Sequence, residues 1–169
     1  MSLSNLEKRQ MRESAFAYLT KYKPSTGKMR AYLLQKKYPL QEIDALINEL
    51  TERNYLNDHV LASKLLIAYR GTKSRGRTAL RLMLIKRGIA LDSVEPALNE
   101  FFELRSEKDL LADFLASACQ SMLEELEQAE DYLSKRKILH KLMAKCLRRG
   151  FNSYDIRQAL AEYLIIQTW

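Results

Sequence analysis

The sequence predicts an all-α protein, and three observations carry that expectation. Gly (5) and Pro (3) are scarce in 169 residues, too few turn formers for an all-β chain. Leu, Ala, Lys, Arg and Glu dominate, and these are good helix formers. Apolar residues also recur at helical spacing in a segment that occurs three times. The segments MRAYLLQKKYPLQEIDALINEL (29–50), LRLMLIKRGIALDSVEPALNEF (80–101) and LMAKCLRRGFNSYDIRQALAEY (142–163) align without a gap. Leu34, Ile85 and Leu147 coincide, as do Ile43, Val94 and Ile156, and Leu50, Phe101 and Tyr163.

Each segment reads as a helix, a short break and a helix, with a further apolar helix ahead of it. SAFAYL (14–19) opens the first group, followed by a loop at Lys23-Pro24-Ser25 and the helices of 29–50. VLASKLLIAY (60–69) opens the second after a loop at 54–58, where Asn57 or Asp58 is the expected helix cap. A loop at 71–76 leads to a helix over 77–87 and then to VEPALNEF. Gly88 and Gly150 stand where a helix C-terminus takes a left-handed residue, and the Lys and Arg before them suit the negative end of the helix dipole. Ser106 with Asp109 resembles a capping box for the seventh helix, which begins with DLLADFLASACQSML (109–123). No Gly or Pro occurs from 97 to 149, so this helix is predicted to be long, with a break near Asp131–Ser134 where charge switches from acidic to basic. The expectation is about nine helices in three modules, 1–55, 56–104 and 105–169, stacked as an elongated, curved array.

Charge is distributed in blocks. The formal net charge is +7, which points to an acidic partner. Residues 60–91 hold eight basic side chains and no acid: Lys64, Arg70, Lys73, Arg75, Arg77, Arg81, Lys86 and Arg87. Residues 100–131 hold ten acids and two bases, and residues 135–149 hold seven bases and no acid. Eight unneutralised bases repel one another unless an anionic surface answers them, and ordinary solvated faces mix both signs. On a helix over 77–87, Leu80, Leu84 and Ile85 share one face and leave Arg77, Arg81 and Arg87 largely to the others. The planar guanidinium fork suits carboxylates and phosphates. Arg70, Lys73, Arg75, Arg77, Arg81, Lys86 and Arg87, with Lys141, Lys145, Arg148 and Arg149 of the third module, are therefore the candidate contacts for DNA or a protein partner. Few Asn or Gln residues are placed to read adenine, so base readout by a helix-turn-helix is disfavoured.

Catalytic signatures are lacking in the sequence. There is no phosphate-cradling G-x-x-x-x-G-K-[ST] and no G-x-G-x-x-G. His59 and His140 stand far apart without metal-ligand spacing and read as ordinary surface or partly packed residues. The acidic run Glu124-Glu125-Leu126-Glu127 reads as a solvated helix face. Most aromatic residues read as core. Cys119 and Cys146, 27 positions apart, suggest neither a disulfide framework nor a metal site. No apolar run is long enough to span a membrane, and MSLSNLEKRQ has no apolar stretch of a secretory leader. The expectation is a cytoplasmic, monomeric, non-enzymatic protein without cofactors.

The stretch YLND (55–58), followed by Arg70, Lys73, Gly76, Leu80, Arg81, Leu84, Gly88 and Ile89 in the spacing R-x-x-K-x-x-G-x-x-x-L-R-x-x-L-x-x-x-G-I, resembles the RecX family, bacterial regulatory proteins of the recombinase RecA. The resemblance covers the middle module, and the chain length and tandem helical repeats agree with it. It implies a non-enzymatic modulator of DNA repair and recombination that binds the RecA filament on DNA and limits its extension or activity. It also implies that Arg70, Lys73, Arg81 and the Lys86/Arg87 pair occupy the family's basic positions, and Gly76, Leu84 and Gly88 its structural ones. The chain departs from the pattern at Met83, where a Glu is usual, and at Asn57, in place of a second acid. A stand-alone DNA-binding protein and a helical adaptor without a nucleic-acid role remain alternative readings.

Overall fold

The computed structural model describes residues 3–161. It holds ten α-helices and one 3-10 turn, with no strand among the described residues. The helices are α1 (Asn5–Tyr22), α2 (Thr26–Gln35), α3 (Leu40–Glu52), α4 (Asp58–Leu66), α5 (Arg77–Lys86), α6 (Leu91–Leu104), α7 (Glu107–Ala118), α8 (Gln120–Gln128), α9 (Tyr132–Arg148) and α10 (Ser153–Ala159). A 3-10 turn at Gly71–Lys73 precedes α5. The chain forms two compact units. One holds the described residues up to Ser63 together with Met83–Ala97; the other holds Lys64–Leu82 and the described residues from Leu98 onward.

Local chemistry explains the helix boundaries. Ser4 and Glu7 form a capping box on α1, and Ser106 and Asp109 form the one expected on α7. Asn57 caps α4: its Oδ1 accepts from the Val60 N–H at 3.0 Å. Asp131 and Asn152 cap α9 and α10. Gly88 (φ 77°) and Gly150 (φ 81°) are left-handed as expected, and Lys37 (φ 65°) takes the same conformation at the aligned position of the first repeat.

The expectation of nine helices with a long seventh one is corrected. The helix begun at Glu107 ends at Ala118, and the residues inserted relative to the first two repeats form a separate helix, α8. Cys119 occupies the joint with φ −124° and ψ 5°, outside helical geometry. Leu110, Leu111, Phe114 and Leu115 before the joint and Leu126 after it enter one core. Tyr163, aligned with Leu50 and Phe101, lies outside the described residues.

The first unit is built on Met11, Ala15, Met29, Leu33, Ile43, Leu46, Ile47, Leu50 and Leu56. The second packs the α7 residues against Leu126, Leu139, Leu142, Cys146, Phe151, Ile156 and Leu160. Leu80 and Leu84 of α5 are fully buried, as the helical spacing predicts. Of the aromatic residues, Tyr18, Tyr32, Tyr38, Phe101 and Phe102 pack against the cores with partial exposure. Only Phe114 and Phe151 are fully buried among those described, while Tyr22, Tyr55, Tyr132 and Tyr154 are exposed by half or more.

Candidate functional site

The eleven candidate basic residues separate into two groups by burial. Arg70, Lys73, Arg81, Lys86, Arg87, Lys141 and Arg148 are exposed, whereas Arg75, Arg77, Lys145 and Arg149 are half-buried. Within the second unit, Arg77 Nη2 donates to Asn99 Oδ1 at 2.5 Å, and its guanidinium lies 5.6 Å from the Phe102 ring centre. Lys145 Nζ donates to the Ala118 carbonyl and lies over Phe114, and Arg149 covers the same ring at 5.0 Å. Arg75 rests 5.5 Å from the Tyr69 ring. Arg77 is therefore engaged within its own unit. Sequence periodicity could not show this, because Asn99 and Phe102 come from a helix distant in the chain.

The exposed bases follow from the local folding of α5 and α9. On α5, Leu80 and Leu84 turn inward at i, i+4, which leaves Arg81 on the outer face. Lys86 and Arg87 are exposed at the C-terminal end, where their charge complements the helix dipole. On α9, Leu139, Leu142 and Cys146 are buried, while Arg136, Lys137, Lys141 and Arg148 are exposed. These faces can attract phosphates or carboxylates through charge-assisted hydrogen bonds.

Two acidic side chains, buried Asp58 and half-buried Glu107, each hold the starts of two helices. In the first unit Asp58, only 5% exposed, accepts from the Thr26 N–H (2.9 Å), the Thr26 hydroxyl (2.7 Å) and the Ala90 N–H (2.6 Å). It thus supplies negative charge to the starts of α2 and α6. In the second unit Glu107 accepts from the Arg77 N–H at 3.3 Å, at the start of α5, and faces the Asn152 N–H at the start of α10. Burial pushes the Glu107 carboxyl above its usual range; the two N–H donors oppose that shift and Asp155 adds to it. Sequence reading did not single out either joint, since Asp58 looks like an ordinary cap and Glu107 like a first-turn acid.

Glycine closes both units at repeat-related points. Ser25 Oγ donates to the Arg87 carbonyl at 2.7 Å, and the Gly27 N–H donates to the Gly88 carbonyl at 3.0 Å. In the second unit the Gly76 N–H donates to the Arg149 carbonyl at 3.0 Å. A Cβ on Gly76 would fall 2.0 Å from the Gly150 carbonyl oxygen, so no larger residue fits.

No group of three or more metal-ligating side chains occurs among the described residues. Cys119 and Cys146 enter one buried core, and both remain free thiols. Burial raises the Cys119 thiol, and burial together with Cys119 pushes Cys146 up to about 12, so neither is poised as a thiolate nucleophile. An open groove of about 520 Å³ in the first unit is walled by Arg30, Asp58, His59 and Asp92, among others, and its mixed charges select no ligand class. Among the described residues no helix is long and apolar enough to cross a membrane.

No protein-family model matches the chain. The regulatory protein RecX of Bacillus pumilus is 26% identical to it over 150 residues, 89% of this chain and 54% of that protein. The RecX of Prosthecochloris aestuarii is 28% identical over 162 residues, 96% of this chain and 99% of that protein. The crystal structure of RecX from Lactobacillus salivarius shares the fold with a TM-score of 0.73, covering 94% of this chain and 97% of that one at 18% identity. The chain is similar to RecX regulatory proteins. It spans about half the length of the RecX proteins of Bacillus pumilus and Halalkalibacterium halodurans. A second RecX crystal structure shares the fold with a TM-score of 0.68, over 92% of this chain and 73% of that one. The residues that resemble the RecX central pattern have definite places in the fold: Gly76 and Gly88 at the close approaches, Leu80 and Leu84 in the interior, and Arg70, Lys73, Arg81, Lys86 and Arg87 on the surface.

Proposed function

We propose that the chain is a non-catalytic regulator that binds the filament formed by RecA on DNA and limits its activity. The observation that carries this reading is the exposure of five bases, Arg70, Lys73, Arg81, Lys86 and Arg87, in a stretch of 32 residues without one acid. Such bases meet carboxylates of recombinase protomers, phosphates of the bound DNA, or both, because either anion satisfies a guanidinium or ammonium group. The exposed bases of α9 offer the same chemistry. The similarity to RecX regulatory proteins supports a regulatory role rather than turnover of a substrate.

The test is co-sedimentation of the purified protein with RecA, with and without single-stranded DNA and a non-hydrolysable nucleotide. Binding that requires the assembled filament is the expected result. Equal binding to bare DNA with a steep salt dependence would replace this reading with a stand-alone DNA-binding protein. Indifference to both would leave a helical adaptor.

A further inference from the structure

A third basic stretch lies outside the residues discussed so far. Residues 14–41 contain six Lys or Arg, no acid, and four of the nine tyrosines in the chain. Within the first unit α1 and α2 bring three of these tyrosines into a column. Tyr18 and Tyr32 stack in parallel, with ring centres 4.0 Å apart and planes within 4°. Tyr22 continues the column, its centre 5.0 Å from that of Tyr18 and its plane tilted by 48°. The column ends in solvent, for Tyr22 is 57% exposed. Lys21 Nζ lies 5.0 Å from the Tyr22 ring centre, and Lys36 Nζ lies 5.4 Å from that of Tyr32.

This is an unusual use of tyrosine in a fold whose cores are otherwise filled by Leu, Ile, Met and Phe. Tyr18 and Tyr32 pack against the first core, but Tyr22 stands in solvent and forgoes much of the burial that makes an aromatic residue stabilising. Ammonium groups against exposed rings add little by themselves. One ligand class answers both features. An unpaired base offers a flat face that extends an aromatic column, and its flanking phosphates draw the lysines away from the rings. A duplex hides its base faces in its own stack, and an acidic peptide answers the lysines while leaving the rings uncovered.

We propose that the Tyr18–Tyr22–Tyr32 column is a binding site for a single strand of nucleic acid. A base stacks on the exposed end at Tyr22, and Lys21 and Lys23 meet the adjoining phosphates. Lys23 is exposed and ends α1 in a left-handed conformation (φ 44°). The site is separate in sequence from the basic faces of α5 and α9, and it requires no recombinase.

The test uses the full chain and a short fluorescein-labelled oligodeoxythymidine, followed by anisotropy in the absence of recombinase. Tyr22→Ala, at an exposed position, is expected to weaken binding roughly tenfold, the loss of one stacked base, with the slope against salt unchanged. Tyr22→Trp is expected to retain or tighten binding. The double variant Lys21→Gln, Lys23→Gln is expected to flatten the salt slope by up to about two phosphate contacts. Parental affinity in Tyr22→Ala, equal losses for single-stranded and duplex DNA, or no binding of the oligonucleotide by the parent protein would each overturn the assignment. Failure of the recombinase test leaves this result untouched, since no filament is present.

Discussion

The Gly76 N–H donates to the carbonyl of Arg149 at 3.0 Å and brings the start of α5 against the turn that follows α9. The neighbouring residue Gly150 fills the space that any side chain at position 76 would need. Gly76→Ala would place a Cβ 2.0 Å from the Gly150 oxygen and 2.3 Å from its carbonyl carbon, and backbone cannot swing aside as a side chain can. The expected destabilisation is about 3 kcal/mol, at the upper end for overpacking. Gly71→Ala is the comparison: its Cβ meets nothing within 4 Å, and only the left-handed φ of 56° opposes it, at about 1 kcal/mol. Urea denaturation of both variants checks the contrast.

Asp58 offers the same kind of test in the first unit. Its carboxylate takes three donors while nearly sealed from water. Asp58→Ala leaves the Thr26 and Ala90 N–H groups without an acceptor and is expected to cost about 3 kcal/mol or more, since hydrogen bonds to charged groups contribute more than neutral ones. Asp58→Asn keeps one acceptor oxygen and is expected to cost less. If the alanine variant unfolds at the parental urea concentration, the joint contributes nothing.

Glu107 predicts a pH dependence of definite sign. Its carboxyl is raised in the folded state, first by burial, against the help of the Arg77 and Asn152 N–H groups. A raised carboxyl means that the folded state binds the proton more tightly than the unfolded chain. Its contribution to stability is therefore fully present below the ordinary Glu range and lost as pH rises through the folded value. Glu107→Gln removes that dependence while keeping an acceptor for Arg77. The parent should gain stability relative to this variant as pH falls from 7 toward 4.5. The difference between the two proteins is the quantity to measure, because Asp109 and Asp131, lowered by Ser106 and Ser134, change stability in the opposite direction.

Charge reversal tests the proposed interface only at residues that the fold does not need. Arg70, Lys73, Lys86 and Arg87 are exposed, and reversing all four to Glu should weaken filament binding by at least about tenfold, since exposed pairs contribute up to ~1 kcal/mol each. Circular dichroism should be unchanged, because Glu is also a good helix former. Arg77→Glu is unsuitable as a test: it breaks the Asn99 contact and places a second carboxylate beside Glu107. Glu124→Lys with Glu125→Lys, on the exposed acidic face of α8, should leave binding equal or stronger. Parental binding by the fourfold variant would reduce the basic stretch to a solvated face.

The sequence by itself determined the fold class, the cap at Ser106 and a cap at Asn57 or Asp58, the left-handed glycines at 88 and 150, and the inward face of Leu80 and Leu84. These depend on residues within one or two helical turns of each other, so a linear pattern records them. It also showed which stretches carry unopposed charge. It did not show the end of α7, because no Gly or Pro marks the joint at Cys119. It did not show which bases stay outside: Arg77, Lys145 and Arg149 are engaged by Asn99, Ala118 and Phe114, partners 22 to 35 positions away. Nor did it show that Tyr18 and Tyr32 stack, or that Asp58 and Glu107 each serve two helix starts. Those arrangements exist only once distant helices pack, because a side chain's exposure and its hydrogen-bond partners are set by whatever the tertiary structure brings against it.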